Sequence, residues 1–184
     1  ITDLYGDGSR FKVDMRGFGE AASRNTLILV DGRRLNNIDN AAPFLNSISL
    51  QDAERIEIVQ GSGGTLFGDQ AVGGVINIIT RTPTDFSAQV QAGVGSYNRR
   101  QLFANVGDAM GNGVDYRLSG ELVRSDNYRE HNEVDRHNLL GTLAYNYRSA
   151  RVFIDVQNFY EDLNTPGALL ESEVEEDPRQ SLID

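Results

Sequence analysis

The chain has 184 residues, no cysteine, two histidines and a formal net charge of −10, with a pI near 4.6. This acidity disfavours a nucleic-acid partner, because the phosphate backbone attracts basic surfaces. The lack of cysteine excludes a disulfide framework and a thiolate site, and two histidines are few for a zinc site. No apolar run reaches the ~18–20 residues that a membrane-spanning helix needs.

The first predicted elements are short. Residues 12–15 alternate apolar and polar side chains and predict a strand. Arg16 follows this strand, and its charge alone indicates a surface cation. The small polar run at residues 19–25 predicts a loop, and the aliphatic run Thr26–Val30 predicts a buried strand.

A hairpin is predicted next. Asp31-Gly32 suits a two-residue turn, because both residues tolerate a positive φ, and residues 33–36 return as the partner strand. A polar loop is predicted at residues 37–43. Ser49 lies three residues before Asp52 and is predicted to cap a short helical turn.

The stretch from Asp52 to Pro83 is rich in glycine. Residues 55–60 and 75–80 are dominated by valine and isoleucine, which predicts two strands buried against other layers. The glycines between them indicate a tightly turned backbone: Gly61, Gly63, Gly64, Gly68, Gly73 and Gly74.

A phosphate-binding loop is one interpretation of these glycines. A Walker loop needs a Lys-Ser/Thr pair after its last glycine, and none is present. A dinucleotide loop would need glycine in place of Leu66 and a helix where residues 75–80 predict a strand. An enzyme that acts on nucleotides is therefore disfavoured, and an ordinary hairpin loop is a second interpretation.

After Pro83 the pattern becomes an alternation with period two, in segments of about ten residues, which is typical of outer-membrane barrels. Five strands are predicted, at residues 88–95, 102–107, 116–123, 139–146 and 152–157. The connections at 109–113 and 148–150 are short, whereas 125–136 and the segment from about Leu163 are long, as periplasmic turns and extracellular loops are. Aromatic residues near the predicted strand ends suit membrane girdles: Tyr97, Tyr128, Tyr145, Tyr147, Phe159 and Tyr160. A soluble antiparallel sandwich would alternate in the same way.

Three motifs, in order, resemble one family. The run RIEIVQGSGGTLFGDQAVGGVINIITRTP, from Arg55 to Pro83, is similar to the end of the plug domain of TonB-dependent outer-membrane receptors. MRGFG, from Met15 to Gly19, resembles that family's IRG motif, and NTLILVDGRRLN resembles its strand-DG-strand hairpin. Two departures are visible, since Gln60 stands where the family usually has arginine and Phe67 where it usually has tyrosine.

The resemblance implies a mainly β fold: a small mixed α+β plug domain, then antiparallel strands of a large transmembrane β-barrel. We expect the plug at residues 1–83, without its N-terminal part, and the first five or so barrel strands at 84–184. Plugged transporters have about 22 strands, which need roughly 220 residues. The barrel is therefore expected to be incomplete, and the start at Ile1 suggests a mature or cut product.

The resemblance also implies the site residues. The apical plug loops are expected to bind the ligand, namely Glu20, Ala21, Ala22, Ser23 and Arg24 in one loop and Asn37, Ile38, Asp39 and Asn40 in the other. Pairing between plug and barrel is expected to use Arg16, Arg55, Glu57 and Gln60. With glutamine at position 60, a neutral hydrogen bond replaces a charged one, so plug docking is expected to be weaker. For each loop, a plain connecting role is an equal alternative.

The function that the resemblance implies is import of a scarce nutrient, such as a siderophore or cobalamin, into the periplasm. The expected partners are TonB, through a segment that this chain does not contain, outer-membrane lipid and the small nutrient. No catalytic residue, cofactor or metal is expected. The alternative is a receptor on the same architecture that signals, or to which a phage or toxin attaches, without transport. The acidic tail at residues 165–180 suits a solvated loop, with a calcium site as the other interpretation.

Overall fold

The chain folds as two compact units, Ile1–Arg81 and Thr82–Asp184. The structure is a computed structural model, and it describes residues 1–4, 8, 10–39 and 41–182. The first unit combines short strands with short helical turns, and the second is an antiparallel sheet. This is the mainly β fold that the sequence predicts.

The first unit is built on a four-stranded sheet. A two-residue antiparallel pair precedes it, formed by β1 (Thr2–Asp3) and β2 (Phe11–Lys12). The sheet contains β3 (Thr26–Val30), β4 (Arg33–Arg34), β5 (Ala53–Gln60) and β6 (Gly74–Thr80). Its spatial order is β4-β3-β6-β5, with β3 and β6 parallel and the other two pairs antiparallel. Helical turns connect the strands, namely 3-10 turns at Gly19–Ala21, Leu45–Ser47 and Leu50–Asp52, and helices α1 (Ala22–Asn25) and α2 (Gly64–Phe67).

The core of this unit lies on β3 and β6. Every residue of β3 is buried, because this strand pairs on both sides. Leu27 and Leu29 pack with Ala71 and Val75 in one apolar cluster. The predicted buried strand at Thr26–Val30 is confirmed with the same bounds.

The strand β5 is largely exposed, so the prediction that both valine- and isoleucine-rich runs are buried is wrong for this one. Ile56, Ile58 and Val59 each have about half of their surface accessible. The strand pairs only with β6 and forms the edge of the sheet, so its apolar composition does not translate into burial.

Four local predictions also need correction. The strand predicted at residues 12–15 forms at Phe11–Lys12, and the return strand of the hairpin is only Arg33–Arg34. Residues 19–25 are helical turns and not a loop. The helical turn after Ser49 is present, but the Ser49 side chain makes no capping hydrogen bond and its hydroxyl is buried without a partner.

The second unit is a five-stranded meander. Its strands are β7 (Ser87–Val94), β8 (Arg100–Met110), β9 (Val114–Ser125), β10 (Val134–Tyr147) and β11 (Ala150–Leu163). Each pairs antiparallel with the next in chain order. All five predicted strands are therefore confirmed. The connections at 111–113 and 148–149 are short, and the one at 126–133 is longer.

This sheet buries a polar face and exposes an apolar face, which is the opposite of a sheet in a water-soluble protein. Along β9, polar side chains are buried, namely Asp115, Arg117, Ser119 and Glu121. On the other face large apolar side chains are exposed, among them Leu118, Leu122, Leu139, Leu143, Ile154 and Val156. An apolar outer face and a polar inner face are typical of a barrel wall in lipid.

The segment after β11 contains one helix, α3 (Glu171–Glu176). The Glu173 carboxylate accepts a hydrogen bond from the Leu170 backbone N–H at 2.6 Å, which closes the start of this helix. Among the described residues, none of the helices has both the length and the apolar character that crossing a membrane would require.

Candidate functional site

The motifs of the first unit meet at Gly73 and Gly74, at the start of β6. The Gly73 N–H donates to the Asn25 carbonyl oxygen at 2.7 Å. A Cβ on Gly73 would lie 2.9 Å from the carbonyl oxygens of Asn25 and Met15. A Cβ on Gly74 would lie 2.5 Å from the Met15 Cε and 2.7 Å from the Val59 carbonyl oxygen. These two glycines therefore let the MRGFG segment pack directly on the sheet.

The MRGFG segment is shaped by Asp14. The Asp14 carboxylate accepts hydrogen bonds from the N–H groups of Phe18 at 2.9 Å and Gly19 at 2.8 Å. The bond from Gly19 is the largest cause of a lowered pKa of this carboxyl. Arg16 and Gly17 both have positive φ, 72° and 75°. Arg16 is thereby presented at the surface, on a backbone conformation that is unfavourable for an L-residue.

The DG hairpin is tied to β6 by the Asp31 side chain. Asp31 and Gly32 have φ of 50° and 80°, as the predicted turn requires. The Asp31 carboxylate accepts from the Thr80 N–H at 2.8 Å and from the Thr80 hydroxyl at 2.6 Å. The aspartate therefore has a second role, which is to hold the turn against the end of a strand 49 residues away.

The first predicted ligand segment, Glu20–Arg24, is a helical turn with mixed exposure. Glu20 is exposed and its carboxylate lies 3.3 Å from the Lys12 Nζ. Ala22 is completely buried, and Ala21 and Ser23 are half-buried. Arg24 is exposed. Side-chain contact with a ligand is thus open to Glu20 and Arg24, and closed to Ala22.

The second predicted ligand segment starts at Asn37. The Asn37 Nδ2 donates to the Ala42 carbonyl oxygen at 3.3 Å, and the Asp39 Oδ1 accepts from the Ala41 N–H at 2.9 Å. Ile38 is 99% exposed. Asn40 lies outside the described residues. This segment therefore offers a ligand the exposed apolar side chain of Ile38 and, next to it in the chain, the exposed carboxylate of Asp39.

Asn36 joins the two segments, and sequence reasoning missed it. Its side-chain amide donates to the carbonyl oxygens of Ser23 at 3.1 Å and Thr26 at 2.9 Å. Its Oδ1 accepts from the Ile28 N–H at 2.7 Å. The buried asparagine thus places the start of the second segment against the first. No local pattern marks it, because its partners lie 8 to 13 residues earlier.

The residues predicted to pair plug with barrel lie in two places: Arg55, Glu57 and Gln60 on β5, and Arg16 in the MRGFG segment. Arg55 donates to Glu57 at 2.9 Å and to Glu54 at 3.1 Å, and the Glu57 carboxylate raises the pKa of Arg55. Gln60 is exposed at the end of β5, opposite Gly74. Within the described part of the chain, no ion pair of Arg16 is seen.

A further ion pair, Arg34 with Asp69, connects the hairpin to the glycine-rich loop. The Arg34 Nη2 donates to the Asp69 carboxylate at 2.6 Å, and the Nη1 donates to Gln70 at 3.4 Å. The guanidinium lowers the pKa of Asp69. The sequence has no spacing that signals this pair, which bridges 35 residues.

The acidic tail does not assemble into a metal site in the described residues. No group of three or more histidine, aspartate or glutamate side chains there is placed to hold a metal ion. Glu171 and Glu173 lie instead in the first turn of α3, where negative charge is favourable.

Comparison with known proteins matches both units. Residues 2–75 match the model of the TonB-dependent Receptor Plug Domain. The vitamin B12 transporter BtuB of Vibrio vulnificus is 31% identical over 163 residues, which cover 88% of this chain and 25% of that protein. BtuB of Vibrio cholerae is 32% identical and covers 96% of this chain. The chain belongs to the TonB-dependent receptors.

A further relative and a solved structure are also similar to this chain. The ferric enterobactin receptor PirA of Pseudomonas aeruginosa is 29% identical over 144 residues, 70% of this chain and 18% of that protein. The crystal structure of the ferric citrate transporter FecA, 24% identical, superposes with a TM-score of 0.75 over 92% of this chain and 27% of its own. This TonB-dependent receptor chain thus spans a quarter to a third of the length of the BtuB relatives.

Membership of the TonB-dependent receptors assigns the location and the architecture. The first unit has the plug fold and the second is barrel wall, in the bacterial outer membrane. The meander exposes an apolar face, as the wall of such a barrel does. The family consists of transporters and receptors and not of enzymes.

Proposed function

We propose that this receptor chain serves the active import of a scarce metal chelate, a corrinoid or a ferric siderophore, into the periplasm. The proposal is supported by one chain that joins a plug-type unit to a sheet with an exposed apolar face, and by similarity to vitamin B12 transporters through both units. Relatives named as ferric enterobactin receptors support a metal chelate as the class of cargo.

The mechanism follows from the size of such a cargo. A chelate of this size needs a wide barrel, and a wide barrel without a plug would be an open pore. The plug blocks diffusion, and energy delivered by TonB from the inner membrane moves it. No covalent bond is made or broken, so the work of the protein is recognition and gating.

Recognition is assigned to the two plug segments that Asn36 joins. Arg24 and Asp39 are their exposed charged members, and Ile38 adds an apolar contact. A cation, a carboxylate and an apolar side chain on two segments that Asn36 joins suit a ligand with mixed polarity. Glu20 contributes a further carboxylate, and the buried Ala22 acts only as support. Pairing of plug and barrel through Arg16, Arg55, Glu57 and Gln60 stays a prediction.

The test is uptake by cells that express the receptor carrying this chain in place of their own transporters. Accumulation of labelled cyanocobalamin or of a labelled ferric siderophore is expected, and it should stop when TonB is deleted. Binding without accumulation would contradict import and favour the alternative, a signalling or attachment receptor.

The ligand segments are tested by changing Arg24 and Asp39 to alanine together. We expect weaker uptake with normal export and folding, and the matched control is Arg33→Ala with Asp85→Ala, two exposed charges elsewhere. Unchanged ligand affinity in the first pair would remove these segments from the site.

A further inference from the structure

Asn112 is followed by glycine, and no other asparagine of this chain is. The pair lies in the short connection between β8 and β9, which holds residues 111–113. An asparagine before glycine is prone to lose its side-chain amide, because the backbone nitrogen of the glycine attacks the amide carbon and no Cβ hinders the cyclic imide that forms. Hydrogen bonds to the reacting groups decide whether a fold permits this reaction.

The fold requires glycine at position 113. Its φ is 90°, and a Cβ there would lie 2.6 Å from the Asn146 carbonyl oxygen. The Gly113 carbonyl oxygen accepts from the Asn146 backbone N–H at 2.8 Å and from the Asn146 Nδ2 at 3.2 Å. The turn thus packs so closely on the end of β10 that a side chain at position 113 would clash. The unhindered backbone nitrogen is a consequence of this packing.

The Asn112 side chain is folded over this turn. Its Oδ1 accepts a hydrogen bond from the Val114 N–H at 3.1 Å, and this bond spans Gly113. An amide held in this way has its carbon beside the intervening backbone nitrogen, and the Val114 N–H stabilises negative charge that develops on Oδ1 during attack. Asn112 is exposed, so water and hydroxide reach it. Within the part of the chain that the structure describes, the Gly113 N–H donates to no acceptor.

The turn at Asp31-Gly32 has the opposite arrangement. The Gly32 N–H donates to the Asn77 Oδ1 at 3.3 Å, so the nitrogen that would attack is occupied. The Asp31 carboxylate is held by hydrogen bonds from the Thr80 N–H and hydroxyl. A carboxylate is also a weaker electrophile than an amide. The two turns are similar in sequence and differ in the hydrogen bonds at the atoms that would react.

We propose that the connection at residues 111–113 is a site of self-modification, in which the fold promotes deamidation of Asn112. Hydroxide removes the proton from the Gly113 nitrogen, which then forms a bond to the Asn112 Cγ. The bond from Cγ to Nδ2 breaks, and this nitrogen takes up a proton from water and leaves as ammonia. Water then opens the cyclic imide at either carbonyl, which gives aspartate or isoaspartate.

The isoaspartate product has a consequence for the barrel wall. It adds a carbon to the backbone between positions 112 and 113, which moves the Gly113 carbonyl oxygen away from Asn146. Asn146 also donates to the Asp115 carboxylate at 2.6 Å, and Arg151 donates to the same carboxylate at 2.7 Å. Formation of isoaspartate therefore loosens the hydrogen bonds at this end of the sheet. The aspartate product keeps an acceptor for the Val114 N–H and leaves the turn intact.

The experiment ages the receptor that carries this chain, in outer-membrane vesicles, in mildly alkaline buffer made with heavy-oxygen water. Peptides released by digestion at acidic pH are weighed, and the heavy oxygen marks conversion that took place before digestion. The Asn112 peptide should lose its amide about tenfold or more faster than the peptides of Asn98 and Asn164, because its reacting groups are already in place. Aspartate and isoaspartate products should both form.

Two variants test the role of the hydrogen bonds. Asn112→Ser keeps an acceptor for the Val114 N–H but has no amide to lose, so it should not take up heavy oxygen. Asp31→Asn places a second asparagine–glycine pair in a turn whose glycine N–H is occupied by Asn77. This pair should convert more slowly than the pair at 112, and the further change Asn77→Ala should speed its conversion. Equal rates at positions 31 and 112 would overturn the proposal.

The unaltered receptor decides the matter if Asp31→Asn does not assemble. Its Asn112 peptide should convert at least as fast in the folded receptor as in the receptor unfolded in urea. Conversion only after unfolding would show that the turn protects the amide, and would overturn the proposal. Aged receptor should also change its migration in gels at a lower temperature than fresh receptor, whereas Asn112→Ser should not shift with age. An equal shift in Asn112→Ser would overturn the link between deamidation and the barrel wall.

Discussion

At the scale of single residues, Asp14 organises the surface turn that presents Arg16. Its carboxylate accepts the N–H groups of Phe18 and Gly19, which would otherwise have no partner in the turn. Gly17 and Gly19 both have positive φ, so the backbone can curl around the carboxylate. The position of the arginine is therefore a consequence of an aspartate two residues earlier.

Because the pKa of Asp14 is lowered in the folded state, chiefly by the bond from Gly19, its contribution to stability should depend on pH. The contribution is present above its ordinary value of 3.8 and is lost as pH falls through the lower folded value. Hydrogen exchange across residues 14–19 of the receptor should show protection that declines in this acidic range. Asp14→Asn should have weaker protection at neutral pH and no such decline, whereas Glu20→Gln should behave like the unaltered protein.

At the scale of elements, the two sheets are stabilised in different ways. The plug sheet is stabilised by a segment whose backbone packs closely on it, and the barrel sheet by side-chain hydrogen bonds beside its short turns. In the plug, Gly73 and Gly74 allow the segment around Met15 to lie on β6. In the barrel, Asp115 accepts two hydrogen bonds from Arg151, at 2.7 and 2.9 Å, and one from Asn146 at 2.6 Å. This network connects three consecutive strands beside their short turns.

Replacing Gly74 with alanine should destabilise the plug by about 2–4 kcal/mol, because it adds backbone strain to a clash with Met15 and Val59. The matched control is Gly68→Ala, where φ is also positive but no atom lies within 4 Å of the added Cβ, so only backbone strain remains and the loss should be smaller than for Gly74→Ala. The receptor is unfolded in urea, and proteolysis of the plug reports the urea midpoint of each variant. Equal midpoints for both variants would contradict the role of close packing.

Arg151→Met should destabilise the barrel wall by about 1.5–3 kcal/mol, since it removes two charge-assisted bonds and leaves the buried Asp115 carboxylate without its cation. Arg124→Met is the control, because the pair of Arg124 with Asp135 is half exposed and such pairs contribute about 0–1 kcal/mol. The loss of stability is measured as a lower temperature at which the folded barrel changes its migration in gels. A larger loss of stability in Arg124→Met than in Arg151→Met would contradict a stabilising role of the hydrogen bonds of Asp115.

At the scale of the whole molecule, the chain combines two sheets with opposite relations to their surroundings. The plug sheet buries an aliphatic strand, β3, as a protein in water does. The barrel sheet exposes its leucines and buries charged residues such as Arg117 and Glu121. This inversion is the arrangement expected of a sheet whose outer face contacts lipid.

Neighbouring leucines on β10 test this inversion. Leu139 is exposed on the apolar face, whereas Leu140 lies on the polar face opposite Ser119 and Gln157. Leu139→Lys should cost about 2–4 kcal/mol and lower assembly into the outer membrane, because Leu139 lies near the middle of β10 and a charge in hydrocarbon is not solvated. Leu140→Lys should assemble better. Equal assembly yields for the two variants would contradict a lipid-facing Leu139.

The sequence by itself determined the features that depend on near neighbours. Alternation with period two predicts the five barrel strands, because successive side chains of a strand point to opposite faces. Asp31-Gly32 predicts its turn, because positive φ is a property of the residues themselves. The three plug motifs likewise identify the family without coordinates.

Only the tertiary structure decided which of these elements are buried and how they are joined. Two runs that are both rich in valine and isoleucine become the mostly buried β6 and the exposed β5, because one is central and the other is an edge. Residues 19–25 look like a loop in sequence but form helical turns, whose last residue, Asn25, accepts a hydrogen bond from Gly73. The Arg129 guanidinium donates to the carbonyl oxygens of Gly167 and Gln180, which lie 38 and 51 residues further along the chain. Such contacts join residues that are distant in the chain, and a local pattern carries no information about them.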